Sequence, residues 1–178
     1  MSKTNNLVFI VLHVIAWIIF VGLAIEAGGF IVNFFFSLNK PELVQNLYQK
    51  LDLIPILQDN QAIFFLLYAF ILSISILKVL LFYILVMLMH KMDLQKPFSD
   101  FVARQFSRIS YFTLAIGFLG YAAGKATKHL NHYGYATTHL DKLWSDSQAF
   151  ILMGAVVYII ATIFKKGVAI QNENDLTV

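Results

Sequence analysis

The sequence predicts an all-α, polytopic membrane protein: four transmembrane helices, an amphipathic helix on the inner face and a short helix in an outer loop. Three observations carry that prediction. Of the 178 residues, 59% are hydrophobic and 13% charged, against about 45–50% and about 25% in soluble domains. The apolar residues fall in four runs, 7–38, 62–89, 109–123 and 149–164. Many of the basic residues stand at the ends of these runs, as in membrane proteins.

The first run is interrupted only by His13, Glu26 and Asn33, and the second carries Lys78. Both exceed the roughly 17–25 residues that a span needs, so they should tilt or project beyond the bilayer. The third and fourth runs are short and borrow flanking residues, with Lys125, Lys128, Lys165 and Lys166 able to snorkel. The expected spans are 9–36, 62–89, 107–128 and 147–168, in one domain over 1–178 that ends in a cytoplasmic tail, 169–178. A first apolar stretch of this length is also far longer than the core of a cleaved signal peptide.

Orientation follows from the loops. With the N-terminus inside, seven Lys and Arg residues are cytoplasmic, both arginines among them, against five outside. That asymmetry places both termini in the cytoplasm. In the first outer loop Asn39-Lys40-Pro41-Glu42 is a helix-start signal. Leu43, Leu47 and Leu51 then share a face, and Pro55 is expected to end that short helix. In the inner loop Pro97 suits the first turn of a helix. Phe98, Phe101, Val102 and Phe106 lie on one side of it and Arg104 and Arg108 on another, an amphipathic segment running into the third span.

Glu26 and Lys78 are the charges inside apolar runs, each costing roughly 2.5–3.5 kcal/mol near a helix centre unless paired or wetted. By height, Glu26 can meet Lys125 or Lys128 as readily as Lys78. A proton or ion site is the functional reading; a structural tie between helices is the plainer and favoured one. Gly22, Glu26, Gly29 and Asn33 share a face of the first helix. Thr113, Gly117, Gly120, Gly124 and Lys128 form a stripe on the third, where small residues let backbones approach. His129, His132, His139 and Asp141 are zinc-type ligands in the second outer loop, but their spacing matches no strong metal motif. A His-rich loop is the preferred account, and no metal or other cofactor is expected. His13, Trp17 and Trp144 read as packing and interface residues.

Other chemistries are excluded or unsupported. With no cysteine there is no disulfide, thiolate zinc site or cysteine nucleophile. A net charge of +3 is no nucleic-acid footprint. No phosphate loop, nucleophile elbow or carboxylate dyad is visible.

Two stretches resemble a bacterial membrane family, the domain of unknown function 2975. One is KPFSDFVARQFSRISYFTLAIGFL, residues 96–119; the other is AVVYIIATIFKKGVAIQNENDLTV, residues 155–178. The shared features are a Pro-Phe step at Pro97 and Phe98, a short basic-apolar helix, and a final basic pair followed by Gly167, Glu173, Asp175 and Leu176. The resemblance implies four helices, a bacterial inner membrane and no catalytic residues. Family members are often encoded beside small helix-turn-helix regulators, which implies a cytoplasmic protein partner. The expected function is therefore a non-enzymatic inner-membrane protein that binds another protein through its cytoplasmic face, with Pro97, Phe98, Arg104, Arg108, Gly167, Glu173, Asp175 and Leu176 as candidate contacts. The alternatives are a small transport component using Glu26 and Gly-lined faces, or an outer-face metal enzyme. A homo-oligomer stays open.

Overall fold

The computed structural model describes residues 3–46, 51, 53–92 and 98–175. Described elements are helical: α1 (Lys3–Asn39), α2 (Ile54–Asp59), α3 (Gln61–Lys91), α4 (Asp100–His132), α5 (Asp141–Trp144) and α6 (Ser147–Asp175), with 3-10 turns at Pro41–Asn46 and Thr138–Leu140. The four long helices pack in chain order, α1 on α3, α3 on α4, and α4 most extensively on α6. One end of the assembly, here the terminal end, holds the start of α1, the end of α3, the start of α4 and the end of α6. His13 of α1 lies there beside His90 of α3, and Phe98 beside Phe164. The opposite, loop end carries α2, α5 and the 3-10 turns.

Local chemistry starts and stops these helices. Asn60 closes α2 by donating its backbone N–H to Ile56 and caps α3 by accepting from the amides of Ala62 (3.0 Å) and Ile63 (3.3 Å). Ser99 caps α4 by accepting from the Val102 amide at 3.3 Å, with Asp100 in the first turn where the helix dipole favours an acid. His129 and His132 occupy its last turn. Gly134, just beyond, has φ +90, a conformation that disfavours any residue with a Cβ.

The buried core is concentrated toward the loop end. Phe64, Leu67, Tyr68 and Ile71 of α3 are almost fully enclosed, with Leu53 and Ile56 at one side and Ile116, Ala123, Leu140 and Trp144 at the other. Phe34 of α1 joins this group, 5.0 Å from the Tyr68 ring. By contrast α1 presents apolar side chains outward along its length; Ile18 is 67% and Ile25 62% exposed.

Among the described residues three stretches are long and apolar enough to cross a membrane: Leu7–Asn39, Gln61–Lys91 and Thr138–Glu173. Helix α4 has the length, 33 residues, but not the apolar composition. Its position explains this. It is sandwiched between α3 and α6, so much of its surface meets protein, and it can carry Ser107, Ser110, Thr113 and Thr127 buried. Their hydroxyls bond to backbone carbonyls: Ser107 to Ala103, Thr113 to Ile109, Thr127 to Gly124, and Ser110 across to Gly154 of α6.

Two helix boundaries differ from the sequence reading. Pro55 lies in the first turn of α2 and opens that helix; it does not end one, because the missing N–H is tolerated in a first turn. The region expected to form the outer-loop helix contains a 3-10 turn, Pro41–Asn46, while Leu47 lies outside the described residues. The last helix does not stop near the expected span end at residue 168 but runs through Gly167 to Asp175.

Candidate functional site

At the terminal end the two stretches that carry the family resemblance pack against each other. Phe164 of α6 sits between Phe106 of α4 (ring centroids 4.8 Å) and Phe98, just ahead of α4 (5.2 Å). One turn on, a Cβ at Gly167 would fall 2.6 Å from a Phe98 ring carbon, so the glycine is what lets the ring lie flat on the helix. Val168 is buried beneath the same contact. The continuous helix beyond residue 168 is thereby anchored to the start of α4. Arg104 and Arg108, spaced i, i+4 on one face of α4, stay exposed, as do Lys165 and Lys166. Lys91 reaches over the ring of Phe101, 5.9 Å from its centroid. The result is an aromatic seam flanked by cations. Glu173 lies near the end of α6 and Asp175 is its last residue, while Pro97 and Leu176 lie outside the described residues.

The intramembrane-type charges meet toward the loop end. Glu26 and Lys78 line one cavity of about 100 Å³, together with Ser75, Lys142 and Trp144. Lys78 also places its ammonium 5.5 Å from the centroid of the Phe150 ring, a contact that favours the cation. Lys125 lines a different cleft with Lys128, so the packing puts Glu26 beside Lys78 and not beside the end of α4. Lys142 is the residue that sequence reasoning missed here. Its signal was only its place in the loop, and the packing of α5 on α4 brings it to the cavity that Glu26 lines.

The small-residue stripe is used unevenly. A Cβ on Gly117 would lie 2.7 Å from the backbone nitrogen of Ile151, and one on Gly154 would lie 2.9 Å from that of Leu114. These two glycines permit the closest approach of α4 and α6. Gly154 was not singled out in the sequence; it complements Gly117 from the opposite helix. At Gly120 a Cβ would meet the Ser147 Cβ at 3.1 Å, and at Gly124 the Trp144 Cβ at 3.7 Å. The packing against the stripe therefore loosens toward the loop end, where its neighbours are Ser147 at the start of α6 and then Trp144 of α5. Gly22 has nothing within 4 Å of such an atom.

The histidines are not gathered. His129 pairs edge-on with Tyr133, His139 lines a cavity with Asp59 and Tyr135, and Asp141 lies in the α4–α6 cleft and accepts from Thr127 at 3.4 Å. Among the described residues no three His, Asp or Glu side chains converge as a metal site. Asp59 is instead the neighbour of Tyr135: its carboxylate, as an acceptor for the phenol and as a nearby negative charge, holds that phenol above the usual 10.0, with desolvation adding to the rise. His13 is half-buried against α3, its Nε2 enclosed and without a hydrogen-bond partner among the described residues. Trp17 is an exposed residue with an edge contact to Phe20, whereas Trp144 is buried.

Residues 45–178 match the family described as "Protein of unknown function (DUF2975)". The match takes in both halves of the aromatic seam and leaves α1, with Glu26, outside it. Neither the comparison with curated proteins nor that with solved structures gives a match.

Proposed function

We infer that this chain, which belongs to the DUF2975 family, is a non-enzymatic integral membrane protein that binds another protein through its terminal face. In this reading all four long helices span a bacterial inner membrane, and both termini are cytoplasmic. The carrying observation is the seam of Phe98, Phe106, Phe164 and Gly167. It ties the two resembling stretches into one surface and holds a helical tail on it. Lysines near the membrane surface each contribute about 1 kcal/mol with anionic headgroups, so Lys165 and Lys166 hold the seam at the boundary. Arg104 and Arg108 are then left for an acidic partner, of the regulator type that the family resemblance implies.

Reporter fusions after Asn39, after Asp141 and at the C-terminus test the orientation; the first two read outside and the third inside. A photo-crosslinking side chain at Arg104, with one at Tyr121 as control, tests the binding face in native membranes. The reading requires a discrete protein adduct from position 104 that is absent from position 121 and is lost when residues 170–178 are removed. An outside C-terminus, or the same adducts from both positions, would sink it.

The second reading is a small transport component. The shared Glu26–Lys78–Lys142 cavity favours it. It predicts that Glu26→Gln abolishes a proton or ion flux in proteoliposomes while leaving crosslinking at Arg104 unchanged.

A further inference from the structure

We propose that the cleft between the end of α4 and the start of α6 binds the phosphodiester headgroup of a membrane phospholipid, its phosphate between Lys125 and Lys128 and its amine at Asp141. The cleft lies beyond the tight contacts at Gly117 and Gly154, where the stripe on α4 faces Trp144 of α5 and the start of α6. It has a volume of about 470 Å³, within the roughly 300–1,000 Å³ typical of small-ligand sites. Its walls carry Tyr121, Lys125, Lys128, Asp141, Trp144 and Gln148.

Each wall supplies a group that a headgroup needs. Lys125 and Lys128 stand at i, i+3, so their ammonium groups can reach one anion. The Lys125 ammonium lies 5.5 Å from the centroid of the Tyr121 ring, on the side chain one turn below it. Asp141 accepts from Thr127 at 3.4 Å and keeps lone pairs for a cation. A site with two positive groups and one negative group suits a phosphate joined to an ammonium better than it suits a simple anion.

The second observation is Trp144. Only 5% of it is exposed, and its indole N–H is enclosed with no hydrogen-bond acceptor among the described residues. Its Cδ1, next to that nitrogen, would lie 3.9 Å from a Cβ on Gly124, which lines the same cleft. A buried donor without a partner is costly, and a phosphate oxygen seated against Gly124 would supply the acceptor. The first turn of α6, with Ser147 and Gln148 on the wall, adds the free amides of a helix start.

The depth fits as well. The inference rests on the membrane reading, in which the ends of the third and fourth spans lie at the headgroup level, where Tyr and Trp gather. A phospholipid with chains along α4 and α6 would bring its headgroup to this cleft without leaving the bilayer.

The test uses the full-length protein reconstituted in nanodiscs of defined composition. Native mass spectrometry reads retained lipid for phosphatidylethanolamine, phosphatidylcholine and diacylglycerol, with inorganic phosphate as a soluble competitor. Wild type should retain one phosphatidylethanolamine in preference to phosphatidylcholine, whose quaternary amine cannot donate to Asp141, and no diacylglycerol. Lys125→Gln with Lys128→Gln should weaken retention about tenfold or more. Both lysines are exposed, so the change leaves the packing alone. Asp141→Asn should remove the preference between the two phospholipids. In a Trp17→Phe background, Trp144 is the remaining tryptophan, and its emission should shift when phosphatidylethanolamine is added to wild-type lysines and not to the double variant. Equal retention by wild type and the double variant, or displacement of the lipid by millimolar phosphate, would overturn the proposal; the latter would mean a site for a soluble anion. Whether the chain leaves native membranes only with detergent checks the membrane reading separately.

Discussion

Tyr68 of α3 donates its hydroxyl hydrogen bond to Oδ1 of Asn33 on α1, and the Oγ of Ser37 lies 3.3 Å from the same hydroxyl. All three residues are almost fully buried. Helix α1 packs chiefly on α3, so this polar knot and the Phe34 cluster above it fix how the two helices register. Polar contacts between membrane helices contribute about 0.6 kcal/mol on average and up to about 1.7. Tyr68→Phe is therefore expected to destabilise the protein by about 1 kcal/mol, read as a lower melting temperature in detergent. An unchanged melting temperature would show that ring stacking alone holds α1.

Gly117 and Gly124 belong to one stripe but should behave oppositely. The obstacle to a methyl at 117 is the Ile151 backbone, 2.7 Å away, so Gly117→Ala must push the helices apart at about 1–3 kcal/mol. At 124 the nearest atom is 3.7 Å away, ordinary contact, and Ala is the better helix former by about 1 kcal/mol. Gly124→Ala should be neutral or mildly stabilising. Equal losses at the two sites would contradict the looser packing at Gly124, which faces Trp144.

The seam at the terminal end makes a prediction about protease access. Phe98→Ala removes the ring that covers Gly167 and stacks on Phe164. Cleavage of residues 168–175 in inside-out vesicles should then accelerate several-fold, because opening of a helix end depends on the contacts that hold it. Gly167→Ala should be milder than Gly117→Ala, since a ring that is 42% exposed can turn aside and a backbone cannot. Equal cleavage rates for wild type and Phe98→Ala would show that Phe98 does not hold the tail.

Tyr135, in the turn after α4, titrates under the influence of Asp59 at the end of α2, whose carboxylate favours the protonated phenol. The phenol's folded value lies above the unfolded 10.0. The stabilisation is thus fully present below about pH 10 and disappears as pH rises through the folded value. Thermal melts between pH 8 and 11 should show that loss in wild type and a flatter profile in Tyr135→Phe; the same slope in both would remove Asp59 as the cause.

Part of the fold was legible in order of residues alone. A long apolar run satisfies its backbone polar groups within itself by becoming helix, so α1, α3 and α6 follow from hydropathy, whereas α4 is less apolar than a span requires. Asn60 and Ser99, which cap α3 and α4 by accepting from amides two or three residues on, are local signals that the sequence reading passed over. The Pro-Phe step and the final Lys-Lys-Gly were also readable as paired features of one family. Partnerships between helices were not. Gly167 is permissive by itself, and whether it ends a helix depends on Phe98 resting on it. Glu26 had three cations within reach by height, and the order in which α1, α3 and α4 pack selected Lys78 and added Lys142. Tyr68 looked like any aromatic in an apolar run until Asn33 faced it. Hydropathy and capping act over a few residues along the chain, so sequence determined the helices; which faces meet is set by long-range packing between residues dozens apart, and only the tertiary structure decided it.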